Sequence, residues 1–422
     1  MTRADKISNA AWLAAPETRT LVAALDKGAS GGPAIRFVGG CVRNTLMGIG
    51  VDDVDVATVH TPERVIELAH AAGLKPVPTG IDHGTITVVV HGKPFEVTTL
   101  RIDVRSHGRH ADVAYTEDWA ADAARRDFTI NAIYADAGGA LFDPVGGVAD
   151  VAVRRVRFIG DAHARIREDY LRILRFFRFH AWYGQGALDA EGLAACTAER
   201  EGLKRLSAER IQKELLRLLA AADPVPVLRI MGEARILPIL FQSALHFDLL
   251  VEIIAIEEKY LKRADPIRRL STIAPSSVAE RLKLSRSDSD RLSLLEFEDA
   301  EIVREQTHLD PDMNQATFRK LLYRNGVNRF IDMVVLYWAY RGASNHPEKW
   351  MHLISEAKKF VRPKLPINGN DLQALGLSGA KLGEVMGLVE AFWIDHDFAP
   401  GRDALLTHAK KCISSPNAGE GK

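Results

Sequence analysis

The chain has 422 residues, and its 55 lysines and arginines are matched by 55 aspartates and glutamates, so the formal net charge is zero. This balance excludes a polycationic nucleic-acid coat protein, and any anion must be bound by a local cluster of cations. With 47% hydrophobic and 26% charged residues, the composition is globular and excludes disordered and collagen-like chains. The length predicts about two to four domains.

Three cysteines, Cys41, Cys196 and Cys412, lie far apart and form no CxxC pair. Their spacing argues against a disulfide framework or a zinc knuckle, so we expect a cytoplasmic protein. The longest apolar run, Met333 to Ala339, is far shorter than the roughly 20 residues of a membrane helix. We therefore expect no association with a membrane.

Strand and helix signals are mixed up to about residue 145, and the rest is almost continuously helical, which predicts an α+β head followed by all-α domains. IRFVGG predicts a buried strand, a Gly39-Gly40 turn and a short helix from Val42. The alternation in VDDVDVAT predicts a second strand. TPERVIELAHAAG predicts a helix between Thr61 and Gly73, and GTITVVVHGKPFEVTTLR predicts a hairpin.

Further along the chain, residues 103–118, which include Gly108 and Arg109, are predicted to be a loop. Helical spacing continues from Ala162 to Tyr183 and predicts a long helix there. LSAERIQKELLRLLAAA, from Leu206, predicts the next helix. The α+β fold therefore gives way to helices at this point.

Asp53 and Asp55 are two positions apart in the predicted strand, so both side chains lie on the same face. Two carboxylates on one face repel each other unless a cation neutralises them. Magnesium suits such a pair, because it takes oxygen ligands together with substrate phosphates. The Gly39-Gly40 turn, followed by a helix, offers backbone N–H groups to a phosphate. An isolated DxD is usually a solvated edge strand, but the turn just upstream favours phosphoryl transfer. Glu96 completes the site if its strand neighbours Asp53.

Two other sites that bind nucleotides or metals are excluded. No GxGxxG follows the first strand, so the glycines do not indicate a dinucleotide-binding fold. The DxD register also lacks the glycine and the terminal glutamate of an EF-hand loop.

Five segments occur in an order that resembles the class II CCA-adding tRNA nucleotidyltransferase and bacterial poly(A) polymerase family: GGCVRNTLMG, DDVDVAT, HGTITVVVHGKPFEVTTLR, ARRDFTINAIYAD and REDYLRILRFFRF. The resemblance covers about residues 35–220 and, more loosely, the rest. It implies a nucleotidyltransferase head at 1–148, a neck that selects the base at 149–222, a helical body at 223–360 and a tail that contacts tRNA at 361–422.

The resemblance also implies roles for individual residues. Asp53 and Asp55 would hold two Mg²⁺ ions, and Glu96 would support this catalytic site. Nucleotide-binding roles are implied for a larger set: Gly39, Gly40, Arg43, Arg125, Arg126, Asp127, Asn131, Glu168, Asp169, Arg172, Arg175 and Arg178. The family usually has Asp where this chain has Asn44, which keeps an acceptor oxygen and loses the charge.

Asp169 and Arg172, at positions i and i+3, would share a helix face and present an acceptor beside a planar donor. Adenine and cytosine both offer an amine next to a ring-nitrogen acceptor, whereas guanine and uracil have a carbonyl in place of the amine. The EDxxR string resembles the family's protein template for incoming CTP and ATP. Without that context, the pair would be an ordinary helix ion pair.

Two stretches of the helical part are locally basic. Arg154–Arg178 has eight arginines and three acids, a net of +5, and Lys259–Arg286 has eight cations and two acids, a net of +6. Both are predicted to meet phosphates, with a solvated helix face as the alternative. Gly376, Gly379 and Gly383, in the tail, resemble a tRNA-gripping segment of the family.

These features predict template-independent addition of C, C and A to the tRNA 3′ end from CTP and ATP, with release of diphosphate. A poly(A) polymerase that uses ATP alone is the alternative on the same scaffold. A catalytically inactive RNA-binding protein is the third hypothesis. The first two share every chemical motif in the chain.

Overall fold

The computed structural model describes residues 5–7, 10–28, 32–107, 110–241, 247–293 and 309–414. The chain divides into two compact units, Met1–Gln242 and Ser243–Lys422. Within the described ranges, every strand lies in the first unit and the second unit is helical, which confirms the α+β prediction. None of the helices in these ranges is long and apolar enough to cross a bilayer.

The described strands belong to two sheets. Their bounds are β1 (Ile35–Val38), β2 (Asp55–Thr58), β3 (Lys75–Gly80), β4 (Thr85–Val90), β5 (Lys93–Thr99), β6 (Arg101–His107), β7 (His110–Tyr115), β8 (Tyr134–Ala135) and β9 (Leu141–Phe142). Seven of them form a mixed sheet in the order β3-β4-β5-β2-β1-β8-β9, and β6 pairs with β7. The loop predicted at residues 103–118 was therefore wrong, while Gly108 and Arg109 lie outside the described residues.

The described helices of the first unit are α1 (Ala11–Ala14), α2 (Pro16–Leu25), α3 (Gly40–Met47), α4 (Pro62–Ala71), α5 (Trp119–Ala124), α6 (Gly147–Ala152), α7 (Ala162–Glu168), α8 (Leu171–Tyr183), α9 (Ala190–Ala198), α10 (Ala208–Leu219), α11 (Val225–Glu233) and α12 (Leu237–Leu240). Helices α2, α3 and α4 pack against the larger sheet, and the later helices of the first unit pack mainly on one another. Short 3₁₀ turns occupy Ile81–His83, Thr129–Asn131 and Arg200–Arg205.

Local signals account for several of these elements. The Thr61 side chain accepts the backbone N–H of Arg64, which caps α4, and Gly73 follows the helix with φ +72°. The β4–β5 hairpin turns at His91 and Gly92, whose φ values of 49° and 85° are those of a tight type I′ turn. The predicted helix and hairpin are both confirmed.

The larger sheet has one apolar and one polar face in its central strands. Val56 of β2, Val97 of β5 and Ile86 of β4 are register neighbours and are buried. The residues that alternate with them, including Asp55 and Glu96, point to the opposite face. β2 and β5 run parallel, and Asp55 lies directly beside Glu96 in the register.

The single helix predicted from Ala162 to Tyr183 is wrong, because the chain breaks after Glu168. Asp169 is extended, with φ −154° and ψ 104°, and its Oδ1 accepts the backbone N–H of Leu171 at 3.1 Å. An aspartate that caps the following turn competes with continuation of the preceding helix. The helix predicted from Leu206 is present as α10.

The described helices of the second unit are α13 (Phe247–Ile256), α14 (Pro266–Ser271), α15 (Val278–Arg281), α16 (Arg286–Ser293), α17 (Gln315–Arg341), α18 (Pro347–Lys359), α19 (Gly369–Gln373), α20 (Gly379–Asp395) and α21 (Arg402–Ser414). A π-helical turn, Glu257–Leu261, follows α13, and α17 is kinked at Gly326. One apolar core includes Trp338 and Trp350, and another includes Trp393.

A buried ionic network lies in the second unit. Arg268 donates to Glu257 at 2.8 Å and to Asp332 at 2.9 Å, and Arg269 donates to Glu257 at 2.7 Å. Arg291 also donates a hydrogen bond to Asp332, at 2.6 Å. Arg268 and Arg269 therefore cannot belong to the phosphate-contacting surface predicted for Lys259–Arg286, because carboxylates brought by other elements already neutralise them.

The three tail glycines lie around the start of α20. Gly376 and Gly379 have positive φ values of 85° and 58°, and both are exposed, as is Gly383. Their role toward RNA stays a prediction, as do the predicted domain boundaries after residues 148, 222 and 360.

Candidate active site

A glycine turn joins β1 to α3. Gly39 has φ 71° and ψ −118°, a combination that requires glycine, and α3 begins at the next residue, Gly40, rather than at Val42 as predicted. The first backbone N–H groups of α3 have no partner within the helix, so they are available to an anion at this end.

Arg43, in the first turn of α3, is buried and held from two sides. Its guanidinium lies 3.8 Å from the centre of the Tyr183 ring, and its Nη1 donates to Oδ1 of Asn131. Nη2 also donates to Oδ1 of Asn44, at 2.8 Å. Asn44 therefore serves as a neutral acceptor at the position where the family usually has Asp.

Asp55 is the first residue of β2, and Glu96 lies beside it on β5. Asp53 precedes the strand and is exposed, so the prediction that both aspartates belong to one strand was wrong for Asp53. Burial raises the pKa of Asp55, and the carboxylates of Glu96 and Asp53 raise it further, against the opposing effect of Arg126. Asp55 is thus close enough to Glu96 and to Asp53 for both carboxylates to disfavour its ionisation.

These carboxylates fit a divalent cation by their chemistry. No hydrogen bond or ion pair joins the side chains of Asp53, Asp55 or Glu96 to another described residue. Carboxylates that are close together and form no ion pair are the oxygen ligands that hard divalent ions take. The described residues nevertheless contain no cluster of three His, Cys, Asp or Glu side chains arranged around one metal position. The metal-binding roles of Asp53 and Asp55 stay predictions.

Arg125 and Arg126 follow α5 and are anchored to its buried Asp122. Their guanidinium groups lie 2.9 and 3.1 Å from the two carboxylate oxygens. Tyr134 donates its hydroxyl to the same carboxylate at 2.7 Å. Asp122 thus fixes the position of both arginines, and the pKa of this acid is lowered because the arginines outweigh the effect of burial.

Asp127 holds Arg175 of α8 against the 3₁₀ turn at Thr129–Asn131. Arg175 donates to Oδ2 of Asp127 through Nε at 2.8 Å and through Nη2, while Asn131 donates to Oδ1 at 3.1 Å. Burial opposes ionisation of Asp127, but Arg175 and these hydrogen bonds lower its pKa to about 2. The carboxylate therefore stays charged and ties α8 to the sheet domain.

The predicted base-reading residues do not share a helix face. Asp169 lies in the break before α8, and its Oδ2 accepts a hydrogen bond of 2.7 Å from Arg210 of α10. Arg172, in the first turn of α8, donates to Glu168 at 2.5 Å and to the carbonyl of Arg165 at 2.8 Å. Asp169 and Arg172 are thus held by separate partners. Both nevertheless line one cavity of the first unit.

A cavity of about 460 Å³, here called the first cavity, brings most of the predicted residues together. Phe179 and Arg210 also line it. The predicted residues in its lining are Gly39, Gly40, Arg43, Asp55, Arg125, Arg126, Asp127, Asn131, Asp169, Arg172 and Arg175.

The sequence matches two known family regions. Residues 35–157 match the Poly A polymerase head domain, and residues 187–247 match the "Probable RNA and SrmB- binding site of polymerase A". The chain is 33% identical to CCA tRNA nucleotidyltransferase 1, mitochondrial, of Mus musculus over 399 residues, which cover 89% of this chain and 86% of that protein.

The chain belongs to the class II CCA-adding tRNA nucleotidyltransferase and bacterial poly(A) polymerase family. It is 39% identical over 208 residues to the CCA-adding enzyme of Geobacillus thermodenitrificans (strain NG80-2), covering 48% of this chain and 50% of the relative. The crystal structure of the Bacillus stearothermophilus CCA-adding enzyme in complex with CTP has the same fold, with a TM-score of 0.70 at 24% identity over 94% and 98% of the two chains.

Membership in this nucleotidyltransferase family implies the use of a divalent metal ion, in agreement with the carboxylates beside the first cavity. Four predicted residues lie outside the lining of that cavity: Asp53, Glu96, Glu168 and Arg178. Glu168 accepts a hydrogen bond from Arg172, which does line the cavity. Arg178 is buried and donates to Glu214 of α10 at 2.5 Å, so it joins α8 to α10, and it is not part of the lining of the first cavity.

Several arginines of the basic stretch Arg154–Arg178 form ion pairs with acids of other elements in this nucleotidyltransferase. Arg155 and Arg157 pair with Asp150, at 2.5 and 2.9 Å, and Arg167 pairs with Glu199 at 2.6 Å. The net charge of +5 counted along the chain omitted these acids, because they come from α6 and from the end of α9. Contact of this stretch with phosphates stays a prediction, since the side chains of Arg155, Arg157 and Arg167 remain partly exposed in these ion pairs.

Arg210 is the site residue that sequence reasoning missed. It belongs to the predicted helix from Leu206, in which no site residue was predicted. No spacing rule links it to Asp169, since the two lie 41 residues apart. Tyr183, under Arg43, was seen only as the end of a helix.

Proposed function

We propose that this nucleotidyltransferase adds C, C and A in turn to the 3′ end of tRNA, using CTP and ATP and releasing diphosphate at each step. The observation that carries the proposal is the lining of the first cavity, which joins the glycine turn and Arg43 to Asp55, Asp169 and Arg172. The names of the relatives and the CTP in the structural neighbour support it.

The triphosphate is proposed to lie at the glycine turn. The N–H groups at the start of α3 point out of the helix, and a helix N-terminus favours negative charge. Arg43 is already fixed by Tyr183 and Asn131, so little side-chain freedom is lost when its guanidinium meets a phosphate. Arg125 and Arg126, oriented by Asp122, are proposed to face the ribose and phosphates.

Mg²⁺ is the metal that we propose for Asp53 and Asp55, with Glu96 adding a third carboxylate to the same region. When bound, it supplies positive charge that stabilises the developing charge on the phosphate. The RNA 3′-hydroxyl attacks the α-phosphorus, a 3′-O–P bond forms, the P–O bond to diphosphate breaks, and the hydroxyl proton passes to Asp55.

Asp169 and Arg172 are proposed to read the base edge. A carboxylate has about four acceptor positions, so Asp169 can accept a base amine while it also binds Arg210 and the N–H of Leu171. Arg172 uses Nη1 for its protein partners and keeps other N–H groups for a ring nitrogen. Guanine or uracil would leave polar groups unpaired, at about 1 to 3 kcal/mol each.

The deciding experiment supplies the purified enzyme with Mg²⁺, a tRNA that ends at the discriminator base, and CTP or ATP separately and together. We expect growth by two C residues with CTP alone, and by CCA followed by arrest with both. A long A ladder without use of CTP would instead show a poly(A) polymerase. RNA binding without any extension would support the inactive RNA-binding hypothesis.

We also propose the domain division into a head (1–148), neck (149–222), body (223–360) and tail (361–422). The match of residues 35–157 to a polymerase head domain supports the first part. A cytoplasmic location remains a prediction of the scattered cysteines, and the mouse relative is named as mitochondrial.

A further inference from the structure

A second cavity of about 440 Å³ adjoins the first. The two cavities share Asp55, Arg125 and Arg126 in their linings. Beyond these shared residues, the polar lining of the second cavity comes from His83, Thr85, Glu96, Thr98 and Arg101. The proposed positions of the triphosphate, the metal and the incoming base leave His83, Thr85, Thr98 and Arg101 of this cavity without a role.

The second cavity lies over the polar face of the larger sheet. Glu96 is beside Asp55 in the parallel pairing of β2 and β5, and Thr98 follows Glu96 by two positions on the same face. Thr98 is opposite Thr85 in the β4–β5 hairpin, and their hydroxyl oxygens are 3.0 Å apart. Hydroxyl groups next to a carboxylate suit a ribose, because each ribose hydroxyl both donates and accepts hydrogen bonds.

An exposed aromatic ring stands near this cavity. Tyr115, at the end of β7, is 43% exposed. Its Cε1 is 3.0 Å from the position that a Cβ would occupy on Gly84, whose φ is +75°. Gly84 lies between His83 and Thr85, both of which line the second cavity. Bases of single-stranded RNA stack on aromatic rings that are exposed in this way.

We propose that the second cavity receives the 3′-terminal nucleotide of the acceptor RNA, with its ribose over Asp55, Glu96 and Thr98 and its base against Tyr115. This inference rests on the proposed function. In phosphoryl transfer the attacking and leaving oxygens are roughly in line, on opposite sides of the phosphorus. A nucleotide whose triphosphate is held at the glycine turn therefore leaves the far side of Asp55 to the attacking 3′-hydroxyl.

The cations of the cavity agree with an RNA strand. Arg125 and Arg126 are fixed by Asp122, and Arg101 donates to the carbonyl of His83, so all three guanidinium groups have defined positions along one side. With Asp122 counted beside Asp55 and Glu96, three carboxylates balance the three arginines, so the lining carries no excess of positive charge. A phosphodiester next to the terminal ribose would therefore be bound by the positioned N–H groups of the arginines.

The test measures coupling between Tyr115 and the terminal base. Addition of the first C is timed with two tRNA acceptors that end at the discriminator position, one with its base and one abasic there. For Tyr115→Ala we expect a loss of roughly ten- to hundredfold on the normal acceptor and little further loss on the abasic one, because the stacking partner is already missing. Tyr115→Phe keeps the ring and should retain the coupling.

Three further measurements keep the result unambiguous. Tyr340→Ala, an exposed tyrosine of the second unit, should change both rates by the same factor. The KM for CTP should be unchanged in Tyr115→Ala. Thr98→Val, tested on acceptors with a terminal ribose or 2′-deoxyribose, should reduce the preference for ribose by several-fold. This measurement does not depend on Tyr115→Ala, so it tests the proposal even if that variant folds poorly.

The outcomes separate the two proposals. In one outcome the wild type extends the acceptor, Tyr115→Ala loses equally on normal and abasic acceptors, and Thr98→Val keeps the wild-type preference for ribose. This outcome overturns the assignment of the cavity and leaves the proposed function intact. A raised KM for CTP in Tyr115→Ala places the nucleotide, and not the RNA, at this ring and also overturns it. No extension of the normal acceptor by the wild type overturns the proposed function and the cavity assignment together.

Discussion

The carboxylate of Asp169 is held by Arg210, 41 residues further along the chain, at 2.7 Å. Because this contact fixes one oxygen and the N–H of Leu171 fixes the other, the direction of the carboxylate in the first cavity is set by α8 and α10 together. Selection of the base should therefore depend on a residue outside the EDxxR string.

Replacement of Arg210 by Ala should relax the choice among nucleotides. The Asp169 carboxylate loses its partner and turns more freely, so misincorporation from GTP or UTP should rise about tenfold relative to CTP and ATP, the equivalent of one weakened hydrogen bond. Arg210→Lys keeps the charge but not the planar guanidinium, so its misincorporation should lie between that of the wild type and that of Arg210→Ala. Lys213→Ala, exposed on the same helix, is the control, and unchanged selectivity in Arg210→Ala would refute a positioning role.

Arg172→Ala should affect selectivity more directly. We expect incorporation to persist while the preference for CTP and ATP over GTP and UTP falls, because the donor proposed to face the ring nitrogen is gone. The measurement is single-turnover incorporation with each of the four nucleotides. A variant that incorporates the four in wild-type proportions would remove Arg172 from the base-reading pair.

Asp53→Ala and Asp55→Ala should each abolish transfer while tRNA binding stays near that of the wild type. Loss of a metal ligand removes several kcal/mol of transition-state stabilisation, which corresponds to roughly a thousandfold or more in rate. Asp52→Ala removes an exposed neighbouring carboxylate and is the matched control. Normal turnover in either of the first two variants would contradict the metal assignment.

The ion pair of Asp127 with Arg175 predicts a pH dependence of stability. The pKa of Asp127 in the folded protein is about 2, below its usual value of 3.8, so its contribution is complete above about pH 4 and is lost as the pH falls toward 2. The shift corresponds to about 2 kcal/mol. In urea unfolding of the first unit at several pH values, the advantage of the wild type over Asp127→Asn should shrink by that amount between pH 5 and 2.

Arg175→Gln provides the internal control for this pH effect. This substitution removes the main group that lowers the pKa of Asp127. The free energy of unfolding of Arg175→Gln should therefore lose less between pH 5 and 2 than that of the wild type. A wild-type advantage over Asp127→Asn that stays constant from pH 5 to 2 would contradict the assignment.

Asp332→Ala should strongly destabilise the second unit. Asp332 is only 2% exposed, and it accepts hydrogen bonds from the buried Arg268 and the half-buried Arg291, which would keep only Glu257 and Asp265, respectively, as hydrogen-bonded carboxylates. Removal of one partner from a buried ion pair costs about 3 to 5 kcal/mol. Thermal unfolding measures the effect, and Asp312→Ala, which breaks the exposed pair with Lys349, should leave the melting temperature unchanged within error.

The sequence by itself determined the features that neighbouring residues encode. The cap at Thr61, the His91-Gly92 turn and the glycine turn after β1 each depend on the conformational preferences of a few consecutive residues. The alternation of β2 and β5 placed Asp55 and Glu96 on the polar face of the sheet. The order of the five segments then indicated the family, and with it most residues of the first cavity.

The tertiary structure alone decided which charges meet. Arg210 reaches Asp169 over 41 residues, Arg178 reaches Glu214 over 36, and the arginines after Arg154 meet acids of other elements. Charge counted along the chain cannot show this, because ion pairs between distant residues depend on how the helices pack. The break in the helix at Asp169 depends on a local cap, but the direction of the carboxylate in the first cavity depends also on the distant Arg210.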